Sequence, residues 1–192
     1  MPDGTDAPSL HAIEQGDLTD ESYSDADQQE RVEWVVRHSI GPVLDIGCGH
    51  GYMLRQYDVP SVGIDFDRRR IIRAQTQYRD YKHVFFCVDA EFGIPFGDQQ
   101  FETVWLCEVL EHCHWSDAQY ILTEALRVSS KRVIITLPKM GGPTEPYHMG
   151  DVENDDHRWY ATSDMLARLL GDLNWTQALL AKDRFIGLVI DE

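Results

Sequence analysis

The sequence predicts an α/β fold in which a mostly parallel sheet of seven strands is flanked by helices. Short runs of β-branched and aromatic residues alternate along the 192 residues with amphipathic helical patterns. Such alternation is typical of a parallel sheet with helices on both faces. The last two strand patterns, at about 174–181 and 184–190, are separated by a short turn, and they must therefore pair antiparallel.

The remaining elements follow one another without an internal repeat or a low-complexity linker. Five earlier strands are predicted at about 42–47, 61–65, 83–88, 101–107 and 132–137. Helices are predicted at about 24–39, 50–57, 116–128 and 162–171, because apolar residues recur there at helical spacing. A further helix contains Ile71 and Ile72, and Asp67 is its predicted N-cap.

Composition and charge restrict the class of protein. The formal net charge is −16, and the first 30 residues hold nine acids but no lysine or arginine. We expect a mobile acidic tail at 1–23 and a single domain at 24–192. The acidic balance argues against nucleic acid as a partner. Because neither a signal sequence nor a membrane-spanning segment is evident, we expect a soluble cytoplasmic protein without a membrane partner, of undetermined oligomeric state.

A glycine-rich turn at 43–51 is the most informative stretch. Four residues suited to a buried strand lead into Gly47, Gly49 and Gly51, after which a helix can start. Glycine lets a ligand approach the backbone, and the first amides of a helix favour an anionic group. A second predicted strand ends at Asp65, eighteen residues after Gly47, where an acid can accept the ribose hydroxyls of an adenosine. The pattern therefore predicts a nucleotide-like ligand.

The glycines read G-x-G-x-G and not the dinucleotide fingerprint G-x-G-x-x-G, with Asp45 two residues before the first. This pattern resembles motif I of the class I S-adenosylmethionine-dependent methyltransferases, and the resemblance covers roughly residues 30–190. It implies a Rossmann-like sheet of strand order 3-2-1-4-5-7-6 with strand 7 antiparallel. It also implies methyl transfer with S-adenosyl-L-methionine as cofactor, bound beside strands one and four.

The resemblance further assigns roles to single residues. Three glycines cradle the methionine part of the cofactor near one acid, a second acid holds the ribose, an aromatic ring lies against the adenine, and a third acid receives the adenine amino group. A glutamate lines the methionine and substrate side. The glycines are Gly47, Gly49 and Gly51, and the acid near them is Asp45. The ribose is assigned to Asp65, the adenine ring to Phe66, and the adenine amino group to Asp89, which Ala90 follows. The glutamate is Glu108. Glu102 and the segment 129–131 depart from the family pattern, but neither departure affects these contacts.

The candidate catalytic residues lie in two other segments. If a helical turn begins after the fourth strand, Glu108, Glu111 and His112 project from one face. An acceptor that carries a proton needs a base, for which the candidates are His112 and His157. The long loop at 139–160 is expected to overhang the methyl donor. The residues expected to contact the substrate are Tyr147, His148 and Trp159 of this loop, together with Glu111. Trp159 equally suits packing beneath the loop.

Three functions are compatible with these patterns. The leading interpretation is methyl transfer to oxygen or nitrogen of a small molecule, without a metal. The second interpretation is methylation of an RNA 3′ end, because the pattern E-x-x-E-H also occurs in the small-RNA 3′-terminal 2′-O-methyltransferases. This resemblance implies a divalent cation bound by Glu108, Glu111, His112 and His157. The third interpretation is a cofactor-binding subunit without catalysis.

Overall fold

The computed structural model describes residues 26–78, 82–139, 158–159, 161–182 and 184–191. Seven strands form one sheet, and they are β1 (Val43–Ile46), β2 (Val62–Asp65), β3 (Val84–Cys87), β4 (Phe101–Cys107), β5 (Ser129–Pro138), β6 (Trp175–Leu180) and β7 (Phe185–Asp191). The helices are α1 (Ala26–His38), α2 (Tyr52–Arg55), α3 (Arg68–Gln77), α4 (Trp115–Val128) and α5 (Ser163–Leu170), with 3₁₀ turns at Ala90–Phe92 and Leu110–His112.

The strand order is β3-β2-β1-β4-β5-β7-β6. The pairs β1–β2, β2–β3, β1–β4 and β4–β5 are parallel, whereas β7 is antiparallel to both β5 and β6. The predicted fold class, strand order and antiparallel final strand are confirmed. Because the order reverses between β1 and β4, the carboxyl ends of these two strands open a crevice of the kind in which α/β proteins bind ligands.

Predicted and observed elements differ mainly at two places. The helix predicted at 50–57 is only the four-residue α2, because Gly51 before it adopts a left-handed conformation (φ 80°) and Gln56 caps its end. Strand β5 starts at Ser129, directly after α4, and pairs there with Phe101. The predicted cap of α3 is confirmed, since the Asp67 carboxylate accepts the Arg69 amide at 2.8 Å.

The core has two layers, one on each face of the sheet. Alternate residues of β1 belong to opposite layers: Val43 packs with α1 and α3, whereas Leu44 and Ile46 pack with α4 and α5. Asp45 has the same parity as Val43, so its side chain points toward the α1 layer. In the part of the chain that the structure describes, no helix combines the length and apolar character needed to span a bilayer. The predicted tail at 1–23 lies outside the described residues.

Helix α1 is fixed to the sheet by contacts with β7. The ring of Trp34 lies over Gly187, where an added Cβ would be 2.7 Å from Trp34 Cη2. The Arg31 guanidinium lies over the Phe185 ring, 5.5 Å from its centroid. The Glu30 carboxylate accepts the Ala181 amide at 3.0 Å, and this bond ties α1 to the turn between β6 and β7. These contacts determine where the buried face of α1 meets the carboxyl ends of the strands.

We expect Gly187→Ala to lower the free energy of unfolding by about 1–3 kcal/mol, because the new methyl group overpacks against the Trp34 ring. Gly97→Ala is the matched control, since a Cβ there would find no atom closer than 3.7 Å. Urea unfolding of both variants provides the measurement. Equal stabilities of the two variants would contradict the close approach of Trp34 to the sheet.

Candidate functional site

A cavity of about 640 Å³ opens at the carboxyl edge of the sheet, where β1, β2 and β4 end. This volume falls within the range of small-molecule and cofactor sites. The residues that line it are Arg31, Asp45, Ile46, Gly47, Cys48, Gly49, His50, Met53, Asp65, Phe66, Arg70, Val88, Asp89, Ala90, Glu91, Cys107, Glu108, Val109, His112, Cys113, Ile121 and Arg158. Nine of the predicted site residues are thus brought together, namely Asp45, Gly47, Gly49, Asp65, Phe66, Asp89, Ala90, Glu108 and His112.

The glycine turn is held by Asp65 at the end of β2. One oxygen of its carboxylate accepts the Gly49 amide at 2.9 Å, and the other accepts the Asp67 amide at 2.8 Å. Gly49 has φ 54°, and an added Cβ would meet no atom within 4 Å. The space beside Gly49 is therefore open to a ligand. Each Asp65 oxygen keeps a lone pair for a further donor such as a sugar hydroxyl.

Gly51 lies outside the lining of this cavity. A Cβ at Gly51 would be 2.7 Å from the Phe85 ring, and its φ of 80° also favours glycine. The structure therefore accounts for Gly51 by the packing of the turn against β3, whereas the family resemblance places it at the cofactor.

A buried aspartic acid and a buried arginine lie on the α1 side of the cavity. Asp45 is 2% exposed, and burial, followed by repulsion from Asp65, raises its pKa to about 8 while Arg31 opposes the shift. Arg31 is also 2% exposed, and its guanidinium donates to Thr136 Oγ1 at 3.2 Å. We did not anticipate Arg31 from the sequence. Its position four residues before Val35, on the apolar face of α1, is the signal that distinguishes it from a solvent-exposed arginine.

The adenosine end predicted by the resemblance is formed by the residues after β2 and β3. Phe66 is 70% exposed and presents its ring to the cavity, which suits stacking on a flat ligand. Asp89 and Ala90 follow β3, and the Asp89 carboxylate accepts the Glu91 amide at 3.1 Å. The 3₁₀ turn at Ala90–Phe92 thus keeps this acid at the cavity edge.

The opposite wall follows β4 and differs from the predicted helical turn. Glu108 adopts a left-handed conformation (φ 57°), which is strained for a residue other than glycine, and its amide donates to the Thr136 carbonyl at 3.0 Å. The 3₁₀ turn starts only at Leu110. Glu108 and His112 therefore reach the cavity, but Glu111, expected on the same face, is 1% exposed and does not line it.

Among the residues that the structure describes, neither oxygen of the buried Glu111 carboxyl has a hydrogen-bond partner. Burial, followed by repulsion from Glu108, raises its pKa well above the ordinary value. Trp159 is also buried and packs edge-to-face on Trp115, with ring centroids 5.3 Å apart. The structure thus favours the packing interpretation of Trp159. Tyr147, His148 and His157 lie outside the described residues.

Arg158 joins the end of the long loop to this wall. Its amide donates to the Glu111 carbonyl at 2.7 Å, and its Nε donates to the His112 carbonyl at 2.9 Å. Because it also lines the cavity, Arg158 is a second cationic residue that the sequence interpretation missed. Among the described residues, no group of three or more histidines, cysteines or acids is arranged to hold a metal ion.

Comparisons with known proteins agree with this geometry. Residues 44–136, which carry the glycine turn, Asp65, Asp89 and the Glu108–His112 wall, match the family described as methyltransferase domain. No curated protein sequence matches the chain.

Several solved structures share the fold. A chain of the complex between the Haloferax volcanii Trm112 methyltransferase activator and the putative methyltransferase is 15% identical, with TM-score 0.73, over 90% of this chain and 92% of that chain. The magnesium protoporphyrin IX methyltransferase of Synechocystis PCC 6803 with bound S-adenosylhomocysteine is 16% identical, with TM-score 0.69, over 95% and 92%. Small RNA methyltransferase HEN1 is 17% identical, with TM-score 0.64, over 84% of this chain and 25% of that chain.

At these identities the structural likeness shows the fold, and the family match covers the segment that carries the site. Residues 44–136 thus match a methyltransferase domain, and the strand order of the whole sheet is the fold that this chain shares with methyltransferases of known structure.

Proposed function

We propose that this protein is a class I S-adenosylmethionine-dependent methyltransferase, and that it transfers the methyl group to an oxygen or nitrogen atom of a small-molecule acceptor. The observation that carries the proposal is one continuous cavity, in which Asp65 and Phe66 line one end and Glu108 and His112 line the other. When bound, the cofactor supplies a methyl group that its sulfonium already activates. The main task of the protein is therefore to align donor and acceptor, which can supply several kcal/mol.

The donor end has a partner of suitable chemistry for each part of the cofactor. We assign the ribose hydroxyls to Asp65, the adenine ring to Phe66, and the adenine amino group to the edge formed by Asp89 and Ala90. The open space beside Gly49, together with Gly47, accommodates the methionine part. All six residues line the cavity.

The buried pair of Arg31 and Asp45 matches the zwitterionic end of the methionine part. An ammonium group favours the ionised form of Asp45, and a carboxylate offers Arg31 the anionic partner that a buried guanidinium prefers. On this assignment Gly51 contributes only to the shape of the turn. A bound zwitterion thus gives Arg31 and the ionised form of Asp45 each a partner of opposite charge.

The acceptor end contains Glu108, His112 and Arg158. His112 is the proposed base, because an imidazole accepts a proton near neutral pH and this residue is exposed at the cavity. Arg158 stabilises this wall of the cavity by hydrogen bonds to the carbonyls of Glu111 and His112. Glu111 and Trp159 support that wall from within the core. Contributions from Tyr147, His148 and His157 remain predictions from the sequence.

A second candidate function is methylation of a small-RNA 3′ end with a divalent cation. It is favoured by the likeness to small RNA methyltransferase HEN1 and by the buried Glu111 carboxyl near Glu108, for which the described part of the chain provides no hydrogen-bond partner. The net charge of −16 and the absence of Glu111 from the cavity lining favour the small-molecule acceptor. Of the four proposed metal ligands, only Glu108 and His112 line the cavity among the described residues.

We expect Asp65→Asn to weaken the binding of S-adenosylmethionine and S-adenosylhomocysteine by about ten- to a hundredfold. The substitution removes charge-assisted hydrogen bonds, which contribute about 1.5–3 kcal/mol. Asp98→Asn is the control, because Asp98 is an exposed acid that pairs with Arg127 away from the cavity. Isothermal titration calorimetry measures both. Unchanged affinity in a folded Asp65→Asn protein would overturn the donor-end assignment.

The pKa of Asp45 yields a prediction about pH. Because the folded protein holds this proton up to about pH 8 and the unfolded chain loses it near pH 4, the free energy of unfolding should fall between these values. The decrease attributable to Asp45 is on the order of 1 kcal/mol per pH unit.

Asp45→Asn should remove this contribution, so that the variant gains stability over the wild type as the pH rises from 5 to 8. It should also bind S-adenosylhomocysteine more weakly, because the amide carries no charge for the ammonium group. Urea unfolding at several pH values and calorimetry test both effects. Parallel stability curves for the two proteins would refute the burial of a protonated Asp45.

We expect His112→Ala to lower kcat by a factor on the order of 10² to 10⁴, as for the loss of a general base, with S-adenosylhomocysteine affinity unchanged. Transfer is measured with radiolabelled cofactor on a panel of small alcohols, amines and sugars, and on a small RNA with a free 3′ end. Small-molecule transfer that persists with a chelator supports the first function. Chelator-sensitive transfer confined to the RNA end would replace it with the second.

A further inference from the structure

The guanidinium of Arg158 lines the acceptor end of the cavity with only part of its donor capacity in use. Its Nε donates to the His112 carbonyl at 2.9 Å, and the Arg158 amide donates to the Glu111 carbonyl at 2.7 Å. Among the described residues, no acceptor is bonded to either terminal nitrogen of this side chain, and no carboxylate pairs with it. The N–H groups of both terminal nitrogens therefore remain for a ligand.

The contacts of Arg158 place this cation beside the proposed base. The Nε bond holds the guanidinium at the backbone of His112, and Cys113 follows directly. Burial, followed by repulsion from Glu91, raises the pKa of the Cys113 thiol to about 12, whereas the charge of Arg158 opposes the shift. The guanidinium thus acts on a second residue that lines the same cavity. Its charge lies at the wall where the acceptor must bind.

The groups of the proposed cofactor leave Arg158 without a partner. S-adenosylmethionine has one carboxylate, which we assign to Arg31, and its other charged groups, the ammonium and the sulfonium, are cations. Arg70 also lines the cavity, but it belongs to α3, which follows β2 at the donor end. The cation at the acceptor end therefore calls for an anionic group that the acceptor itself supplies.

The charges around the cavity favour one kind of anion. The two terminal nitrogens of a guanidinium can bind the paired oxygens of a carboxylate or a phosphate. Glu91 and Glu108 line the same cavity, and the formal net charge of the chain is −16. Because repulsion by these acids grows with the charge of the ligand, a carboxylate is favoured over a doubly charged phosphate and over the many phosphates of an RNA chain.

We propose that the methyl acceptor is a small carboxylic acid whose carboxylate is bound by the terminal nitrogens of Arg158, which makes Arg158 a specificity-determining residue. This inference rests on the proposed transfer to a small molecule. The methylated group is a hydroxyl or amine close to the carboxylate, because Arg158 is bonded to the backbone of His112. Its oxygen or nitrogen bonds to the methyl carbon while the carbon–sulfur bond breaks and leaves its electron pair on sulfur. The proton of the acceptor passes to the His112 imidazole.

The test measures transfer from radiolabelled cofactor to hydroxy and amino acids, each paired with its neutral primary amide, such as lactate with lactamide and salicylate with salicylamide. We expect kcat/KM for the methylated acids to exceed that for their amides at least tenfold, with the methyl group on the hydroxyl or amine. Equal transfer to both members of a pair, transfer only to neutral alcohols, amines or sugars, or methyl esters as products would overturn this inference alone. Transfer to none of these small molecules would overturn the proposed function with it.

Arg158→Gln should lower kcat/KM for an acid at least tenfold more than for its amide, mainly through KM, because only the acid loses an ionic partner. Arg168→Gln is the matched control, since Arg168 is an exposed arginine of α5 outside the cavity lining, and it should keep the wild-type preference. Both variants should bind S-adenosylhomocysteine as the wild type does. An equal loss for acid and amide in Arg158→Gln would show that Arg158 only supports the wall, and weaker binding of S-adenosylhomocysteine would assign it to the cofactor. Either result would overturn the proposal.

Discussion

The geometry of the donor site depends on the carboxylate of Asp65. Its two oxygens accept amides from two different loops, the glycine turn after β1 and the turn before α3, at 2.9 and 2.8 Å. Hydrogen bonds to an ionised acceptor are stronger than neutral ones, and Asp65 is itself fixed as the last residue of β2. The space beside Gly49 and the position of Phe66 therefore follow from this one side chain. Its charge also acts on Asp45, whose pKa it helps to raise.

Buried charge is the main unfavourable feature of the site, and the proposed binding of a zwitterionic ligand offers a reason for its presence. A buried ion costs several kcal/mol unless it is paired and hydrogen-bonded. Asp45 is relieved by protonation, whereas Arg31 keeps its charge and is offset by Thr136, the Phe185 ring and nearby acids. A cavity between these two side chains suits a zwitterion better than a neutral molecule. The cost to the unliganded protein is thus consistent with specificity for the amino-acid end of the cofactor.

The sequence predicts the sheet well because both the alternation of elements and the glycine spacing are local signals. The same signals bring Asp45, Asp65, Asp89 and Glu108 to one edge, since each lies at or just beyond the carboxyl end of a parallel strand. The orientation of Glu111 was not predictable in this way. It depends on the left-handed backbone of Glu108, which shifts the phase of the following turn and is held by the Thr136 carbonyl of β5. Arg31 and Arg158 likewise reach the cavity only through tertiary contacts with Thr136 and His112.

Strand β3 helps to fix the residues proposed to bind the adenosine. The Cys87 thiol donates to the Phe66 carbonyl at 3.4 Å, and the Val88 amide donates to the Asp65 carbonyl. The strand then continues directly into Asp89 and Ala90. The positions of these residues therefore depend on the pairing of β3 with β2 and on helix α3, which packs on β3 through Tyr78 and Phe85.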